Sequence, residues 1–338
     1  MAEVTLSGLS KAYGVTQALR DVSLTIPDGA FVVLLGPTGA GKTTTLRLIA
    51  GLDRPDSGDV RIDGVSVLRD TPAQRDIAMV FQQYSLYPHM TVRDNLAFPL
   101  RSPMIAMPED QIATRVAEVA RVLRIPHKLD NKATALSGGE MQRVSIGRAL
   151  VRNPRIYLMD EPLSSLDAKL RAELRIELTR IHAELGATFL YVTHDQIEAM
   201  TMASHVGVLD EGRLVQFGTP REIYEEPIST YVASRLGQPR ITLLPAEAFG
   251  ALAPPPPGAA QIGLRPEHIL QGEGAPATVH RLEHLGDQTR LHLSLGTHQI
   301  VTLADAHTAL APGDSLAIRP HNPLWFDAQG NRLTAPQP

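Results

Sequence analysis

The residues best suited to chemistry are Gly36, Pro37, Thr38, Gly39, Ala40, Gly41, Lys42, Thr43 and Thr44, which fit the pattern G-x-x-x-x-G-K-[ST]. Glycines there let backbone N–H groups converge on an anion, and a following helix adds partial positive charge. Lys42 reaches outer phosphates and Thr43 offers a hydroxyl to magnesium, so ATP or GTP with Mg2+ is the natural ligand. Four further places carry polar groups of the right kind. Asp160-Glu161 is an adjacent carboxylate pair suited to one acid near magnesium and one aligning water. Thr193-His194-Asp195 delivers a histidine, and Gln82 a strand-ending amide that either touches metal or water or simply ends a strand. Leu136-Ser137-Gly138-Gly139 opens a helix and is either a second anion site or an ordinary cap with flexible glycines.

These residues need a scaffold that brings them to one edge. The wholly apolar run Phe31 to Leu35 before the loop reads as a buried parallel strand, and Lys42 to Ala50 after it as a helix stopped at Gly51. Ile77 to Phe81, Arg155 to Met159 and Ala187 to Val192 are further strands, ending at Gln82, Asp160 and Thr193. In open α/β sheets ligands lie beyond the carboxyl ends of strands, which is where all three polar groups fall. Helical spacing marks Asp110 to Leu123, and a helix carrying Leu166, Leu170, Leu174, Leu178, Ile181 and Leu185 up to Gly186. Between Gln83 and Leu100, Tyr84, Leu86, Tyr87, Pro88, Met90 and Phe98 crowd together in a chain only 4% aromatic. They form either the core of a small helical subdomain or a docking surface for another chain. Tyr13, before Gly14, is either an exposed ring or an ordinary strand residue.

At 338 residues and 43% hydrophobic content the chain can fill two cores. Zero cysteines exclude disulfides, cysteine-bound zinc and thiol catalysis, so any metal is oxygen-bound. A net charge of -4 argues against nucleic acid as partner. Met1 to Thr5 has no leader character and no run approaches the ~20 apolar residues of a membrane span, so a soluble or peripheral protein is expected. From Gln261 short alternating segments separated by Gly and Pro turns suggest a small Greek-key barrel of the OB type. Seven of the 12 histidines fall after residue 260, but His280 and His284 lack a third ligand at fixed spacing.

Taken in order, Tyr13, the phosphate loop, Gln82, Leu136-Ser137-Gly138-Gly139, Met159-Asp160-Glu161-Pro162, Ser165-Leu166-Asp167 and His194 resemble the ATPase subunit of ATP-binding cassette transporters. Met79 to Val92, Tyr191 to Gln196, Gly218-Thr219-Pro220 and Gly263 to His268 look like the bacterial sugar-importer subfamily typified by the maltose ATPase subunit. Glu140 departs from the glutamine common in that signature. The resemblance implies a P-loop α/β ATPase domain over 1–235 with a helical subdomain at about 85–153, then an all-β OB-type (TOBE-like) domain over 236–338. It implies that Tyr13 stacks on adenine and that the loop holds the phosphates. Thr43, Gln82 and Asp160 would serve magnesium, Glu161 would polarise water and His194 would contact the γ-phosphate. Ser137, Gly138 and Gly139 would meet the nucleotide of a second subunit, with Asp167 at the subunit boundary.

One helix terminus stabilises an anion by about 0.3 to 1 kcal/mol, or ~2 in a buried site, far too little for phosphoryl transfer. Lys42, magnesium, His194 and an opposing Ser137 turn must surround the γ-phosphate together, and one motif set per chain implies a head-to-tail homodimer. The expected partners are a second copy, two transmembrane permease subunits reached through residues 83–98, and indirectly a solute-binding protein, at the cytoplasmic face of the bacterial inner membrane. The expected function is ATP-driven import of a sugar or sugar derivative. The alternatives are polyamine, metal-ion or oxyanion cargo, or a soluble ATP-switch protein.

Overall fold

In the computed structural model residues 2–333 are described; Met1 and residues 334–338, inside the expected domain bounds, lie outside the described residues. The chain divides into two compact units, Met1–Pro220 and Arg221–Pro338. The division falls earlier than Arg235 because of Arg265, almost fully buried in the second unit. Its guanidinium donates to the carbonyls of Ala233 (3.0 Å), Leu236 and Tyr224 (2.9 Å), and stacks 3.9 Å from the Tyr224 ring. These bonds tie residues 221–236 to the strands that follow.

The first unit is built on a six-stranded sheet in the order Arg213–Gly218, His205–Asp210, Phe31–Leu35, Thr188–Thr193, Ile156–Asp160, Ile77–Val80. All neighbours are parallel except the first pair. Strands Phe31–Leu35, Ile156–Asp160 and Thr188–Thr193 are buried along their whole length. That is why they read as unbroken apolar runs rather than alternating ones. A second, antiparallel sheet runs Thr16–Ile26, Val4–Tyr13, Ser57–Ile62, Val65–Ser66. Its apolar face shares one core with the parallel sheet and the helix Lys42–Ala50.

Helices Val92–Ala97, Glu109–Val122 and Gly138–Leu150 pack on one another as a helical subdomain. Gly147 permits the closest approach, since a Cβ there would stand 2.6 Å from Leu96 and 2.8 Å from Leu123. The aromatic segment is packed in part and exposed in part. Tyr87 packs 4.6 Å from Phe98 under the Arg148 guanidinium, and buried Asn95 ties the Tyr87 backbone in both directions. Phe81 and Phe98 nevertheless keep 39% and 44% of their surface exposed. They border a cavity of about 230 Å³ with Met79, Tyr84, Arg148 and Arg152. The long helix spans Ala168–Leu185, so Leu166 lies outside it: the Asp167 carboxylate accepts from the Leu170 N–H at 3.0 Å and sets the start.

The second unit is all β beyond its short helices. One four-stranded sheet runs Thr242–Pro245, Gln261–Leu264, Leu324–Phe326, Arg332–Leu333; the other runs His298–Asp305, Gln288–Leu295, Ile269–His284, Ser315–Pro320. Alternate residues of Gln288–Leu295 are buried, as half-exposed strands require, and join Trp325 in a separate core.

Candidate functional site

The phosphate loop links Phe31–Leu35 to Lys42–Ala50 through backbone that only glycine adopts freely. Gly39 and Gly41 have φ of +84° and +98°, and a Cβ on Gly41 would stand 2.6 Å from the Ala18 carbonyl. Lys42, 5% exposed, donates to the carbonyls of Gly36 (2.9 Å) and Pro37 (3.0 Å), and its Nζ lies 3.5 Å from Glu161 Oε1. Thr43 Oγ1 donates to Asp160 Oδ1 at 2.9 Å. Burial pushes the Asp160 carboxyl above its usual range and the nearby Glu161 adds to this, while the bond from Thr43 and the charge of Lys42 oppose it.

Glu161 begins where the strand Ile156–Asp160 ends, with its backbone in the left-handed region at φ +42°. Such a conformation costs a non-glycine residue about 1–3 kcal/mol and persists only where neighbours fix it. Here the Glu161 N–H donates to the Val192 carbonyl (3.1 Å), and Ser164 donates to the Glu161 carbonyl through both N–H (3.2 Å) and Oγ (2.9 Å). The side chain thereby turns to His194, whose Nδ1 is 3.0 Å from Glu161 Oε2. His194 follows the neighbouring strand and is held from below. The Asp195 carboxylate caps the helix Gln196–Met202, accepting from Ile197 N–H at 2.7 Å, and pairs with Arg171 at 3.5 Å. Beneath, Tyr191 donates to the buried Glu198 carboxylate at 2.8 Å; burial raises that carboxyl's pKa, and bonds from Thr193 and Tyr191 oppose the rise.

A cavity of about 330 Å³ gathers Thr38, Gly39, Gly41, Lys42, Thr43, Thr44, Gln82 and Glu161, with Thr16 and Ala18 on its wall. Asp160 and His194 join through their bonds to Thr43 and Glu161. Thr16 and Ala18 carry no chemical signal in the sequence; the close approach of the Ala18 carbonyl to Gly41 places their strand beside the loop. Tyr13 is outside this lining, 45% exposed, and its hydroxyl donates to Asp53 Oδ2 at 2.6 Å. Asp53 is itself gripped by Arg47 at 2.7 and 3.2 Å, which holds its carboxyl below the usual range. The sequence gives no hint of this support for Tyr13.

Ser137, Gly138 and Gly139 do not line the cavity. Ser137 caps the helix Gly138–Leu150 in a reciprocal box with Glu140. A Cβ on Gly139 would stand 2.1 Å from Leu170 Cδ2, and one on Gly138 3.2 Å from the Tyr84 hydroxyl, which itself meets Ser165 Oγ at 3.2 Å. The turn thus packs beside the segment carrying Asp167.

A phosphate loop on a parallel strand, followed two strands away by an Asp-Glu pair and between them by a histidine, defines a P-loop ATPase of the cassette type. A family model for the ABC transporter matches residues 19–164 and one for the TOBE domain residues 262–325. The chain is 45% identical over 335 residues to an sn-glycerol-3-phosphate import ATP-binding protein of Ruegeria pomeroyi, covering 95% of each. It is 42% identical to a lactose transport ATP-binding protein of Rhizobium radiobacter, covering 98% of this chain and 100% of that one. A solved ATP-binding cassette, dimeric in a post-hydrolysis state bound to ADP and Pi, is 33% identical with a TM-score of 0.59, covering 64% of this chain and 99% of that one. The chain belongs to the ATP-binding subunits of ABC transporters, which bind ATP and couple its hydrolysis to transport. Among the described residues no helix is long and apolar enough to cross a membrane.

Proposed function

We propose that this chain is the ATP-hydrolysing subunit of a bacterial importer of a sugar or sugar derivative, acting as a head-to-tail homodimer at the cytoplasmic face of the inner membrane. The cargo follows the relatives, named for import of sn-glycerol-3-phosphate and lactose. The observation that carries the chemistry is Glu161, poised between Lys42 and His194 at the cavity mouth. Tyr13 stacks on adenine, and the loop from Gly36 to Thr44 takes the phosphates on its N–H groups. As Lys42 turns from the Gly36 and Pro37 carbonyls to the outer phosphates, Glu161 is released to accept a hydrogen bond from water, and His194 faces the γ-phosphate.

The donor set of Thr43, Gln82 and Asp160 suits magnesium: all are hard oxygens, and Thr43 and Asp160 already meet at 2.9 Å. When bound, the ion neutralises charge on the β- and γ-phosphates. Ser137, Gly138 and Gly139 close over the nucleotide of the second copy, with Asp167 at the boundary. Residues 83–98 and the adjoining cavity at Phe81 and Phe98 receive two transmembrane permease subunits, which a solute-binding protein feeds.

The test is isolation of the chain from membranes with its partners, followed by uptake of labelled sn-glycerol-3-phosphate or lactose into vesicles energised with ATP on the side of this subunit. Uptake that requires ATP is the expected result. A chain that hydrolyses ATP yet isolates with no integral membrane protein would overturn the importer reading.

A further inference from the structure

Glu140 stands where glutamine is common in the signature turn, and its surroundings are specific. One oxygen, Oε2, accepts from the Ser137 N–H (2.8 Å) and the Ser137 hydroxyl (2.9 Å). The other, Oε1, lies 3.0 Å from Lys128 Nζ, which comes from the short turn Pro126–Lys128 after the helix Glu109–Val122. Both side chains are about one-quarter exposed, so the pair is partly shielded from solvent. The Ser137 N–H first and then Lys128 hold the carboxyl below its usual range, and it is ionised at neutral pH.

A carboxylate in this place conflicts with the task assigned to the turn. Ser137 must offer its hydroxyl to a triphosphate, but here that proton is given to Glu140, and the negative charge beside it repels the incoming phosphate. A neutral amide would do neither to the same degree. Lys128 answers both points: its charge cancels that of Glu140, and its N–H groups remain on the carboxylate when the Ser137 hydroxyl turns away.

We propose that Lys128 is a positioning residue for nucleotide bound across the dimer, making the acidic signature turn acceptable to a triphosphate held by the second subunit. This rests on the reading of Ser137 as part of a shared site. The role belongs to the pair: Lys128 matters because Glu140 is an acid.

The experiment uses the full chain carrying Glu161→Gln to suppress turnover, and measures by light scattering the MgATP concentration giving half-maximal dimer. Lys128→Met is expected to raise that midpoint about threefold to fivefold, the upper range of a partly exposed ion pair. Lys128→Arg should keep it within about twofold. With Glu140→Gln also present, Lys128→Met should cost less than about twofold, a rescue that a folding defect would not show. Equal costs with and without Glu140→Gln, or no cost at all, would overturn the assignment. Failure of the parent to dimerise at any ATP concentration would instead remove the shared-site reading, and this inference with it.

Discussion

Glu161 Oε2 and His194 Nδ1 stand 3.0 Å apart although they follow different strands of the parallel sheet, Ile156–Asp160 and Thr188–Thr193. Register brings the two strand ends side by side, since Asp160 pairs with Val192, and the left-handed backbone of Glu161 turns its side chain to His194. They form one unit, so their losses should not add. Glu161→Gln, nearly isosteric, is expected to lower ATP turnover at least about 100-fold while leaving ATP binding intact. Combining it with His194→Ala should cost little more than the worse single change. Single-turnover hydrolysis and equilibrium nucleotide binding check this; turnover within a few fold of the parent would remove Glu161 as the group that polarises water.

The Tyr13 ring is oriented through its hydroxyl by Asp53, and Asp53 by Arg47. Tyr13→Phe and Asp53→Ala should each raise the KM for ATP about twofold to fivefold without changing kcat, as one lost hydrogen bond predicts. The double variant should be no worse than either alone. Tyr13→Ala, which removes the ring, should raise KM further. Effects on kcat rather than KM would place this cluster in the chemistry instead.

Arg265 is the chief polar staple of the second unit. Replacing it by Met leaves the carbonyls of Ala233, Leu236 and Tyr224 without their donor, and the expected loss of stability is about 3 kcal/mol or more. The sole tryptophan, Trp325, is buried in this unit, so its fluorescence during urea unfolding reads the change directly. A midpoint unchanged from the parent would contradict the staple.

His182 Nε2 sits 3.0 Å from the Gly29 carbonyl, with the ring edge-on to Phe31 and Phe189. Burial lowers its pKa below 6.5, against bonds to the Gly29 and Ala187 backbone. Well above pH 6.5 it is neutral whether folded or not. As pH falls below 6.5 the unfolded chain takes a proton that the folded one resists, so stability is lost. His182→Gln should remove that loss, by at most about 1.4 kcal/mol per pH unit. The buried Glu198 carboxyl, raised by its surroundings, acts with the opposite sign, so the difference between wild type and variant is the quantity to follow from pH 7.5 to 5.5.

Most cavity-lining residues were legible because they occupy strand ends and one tight loop, where short patterns carry the geometry. Gly41 must be glycine to clear the Ala18 carbonyl, and Asp160-Glu161 must end a buried strand to reach the cavity. The alternation of Gln288–Leu295 likewise shows in the sequence. What escaped reading depends on residues distant in the chain: Asp53 beneath Tyr13, Lys128 beside Glu140, and Arg265 drawing residues 221–236 to the second unit. The left-handed backbone of Glu161 was hidden for another reason. Nothing in the residue type announces it; only the bonds to Val192 and Ser164 impose it.

The grip of Lys42 on the Gly36 and Pro37 carbonyls sets the terms of nucleotide exchange. The ammonium donates to both carbonyls, so under the proposed function binding of phosphate would trade one set of partners for another. Departure would be eased by the same trade, with the loop recovering its internal bonds as spent nucleotide left. A motor that must empty its site on every stroke benefits from a loop that keeps its shape between strokes and needs no refolding before the next.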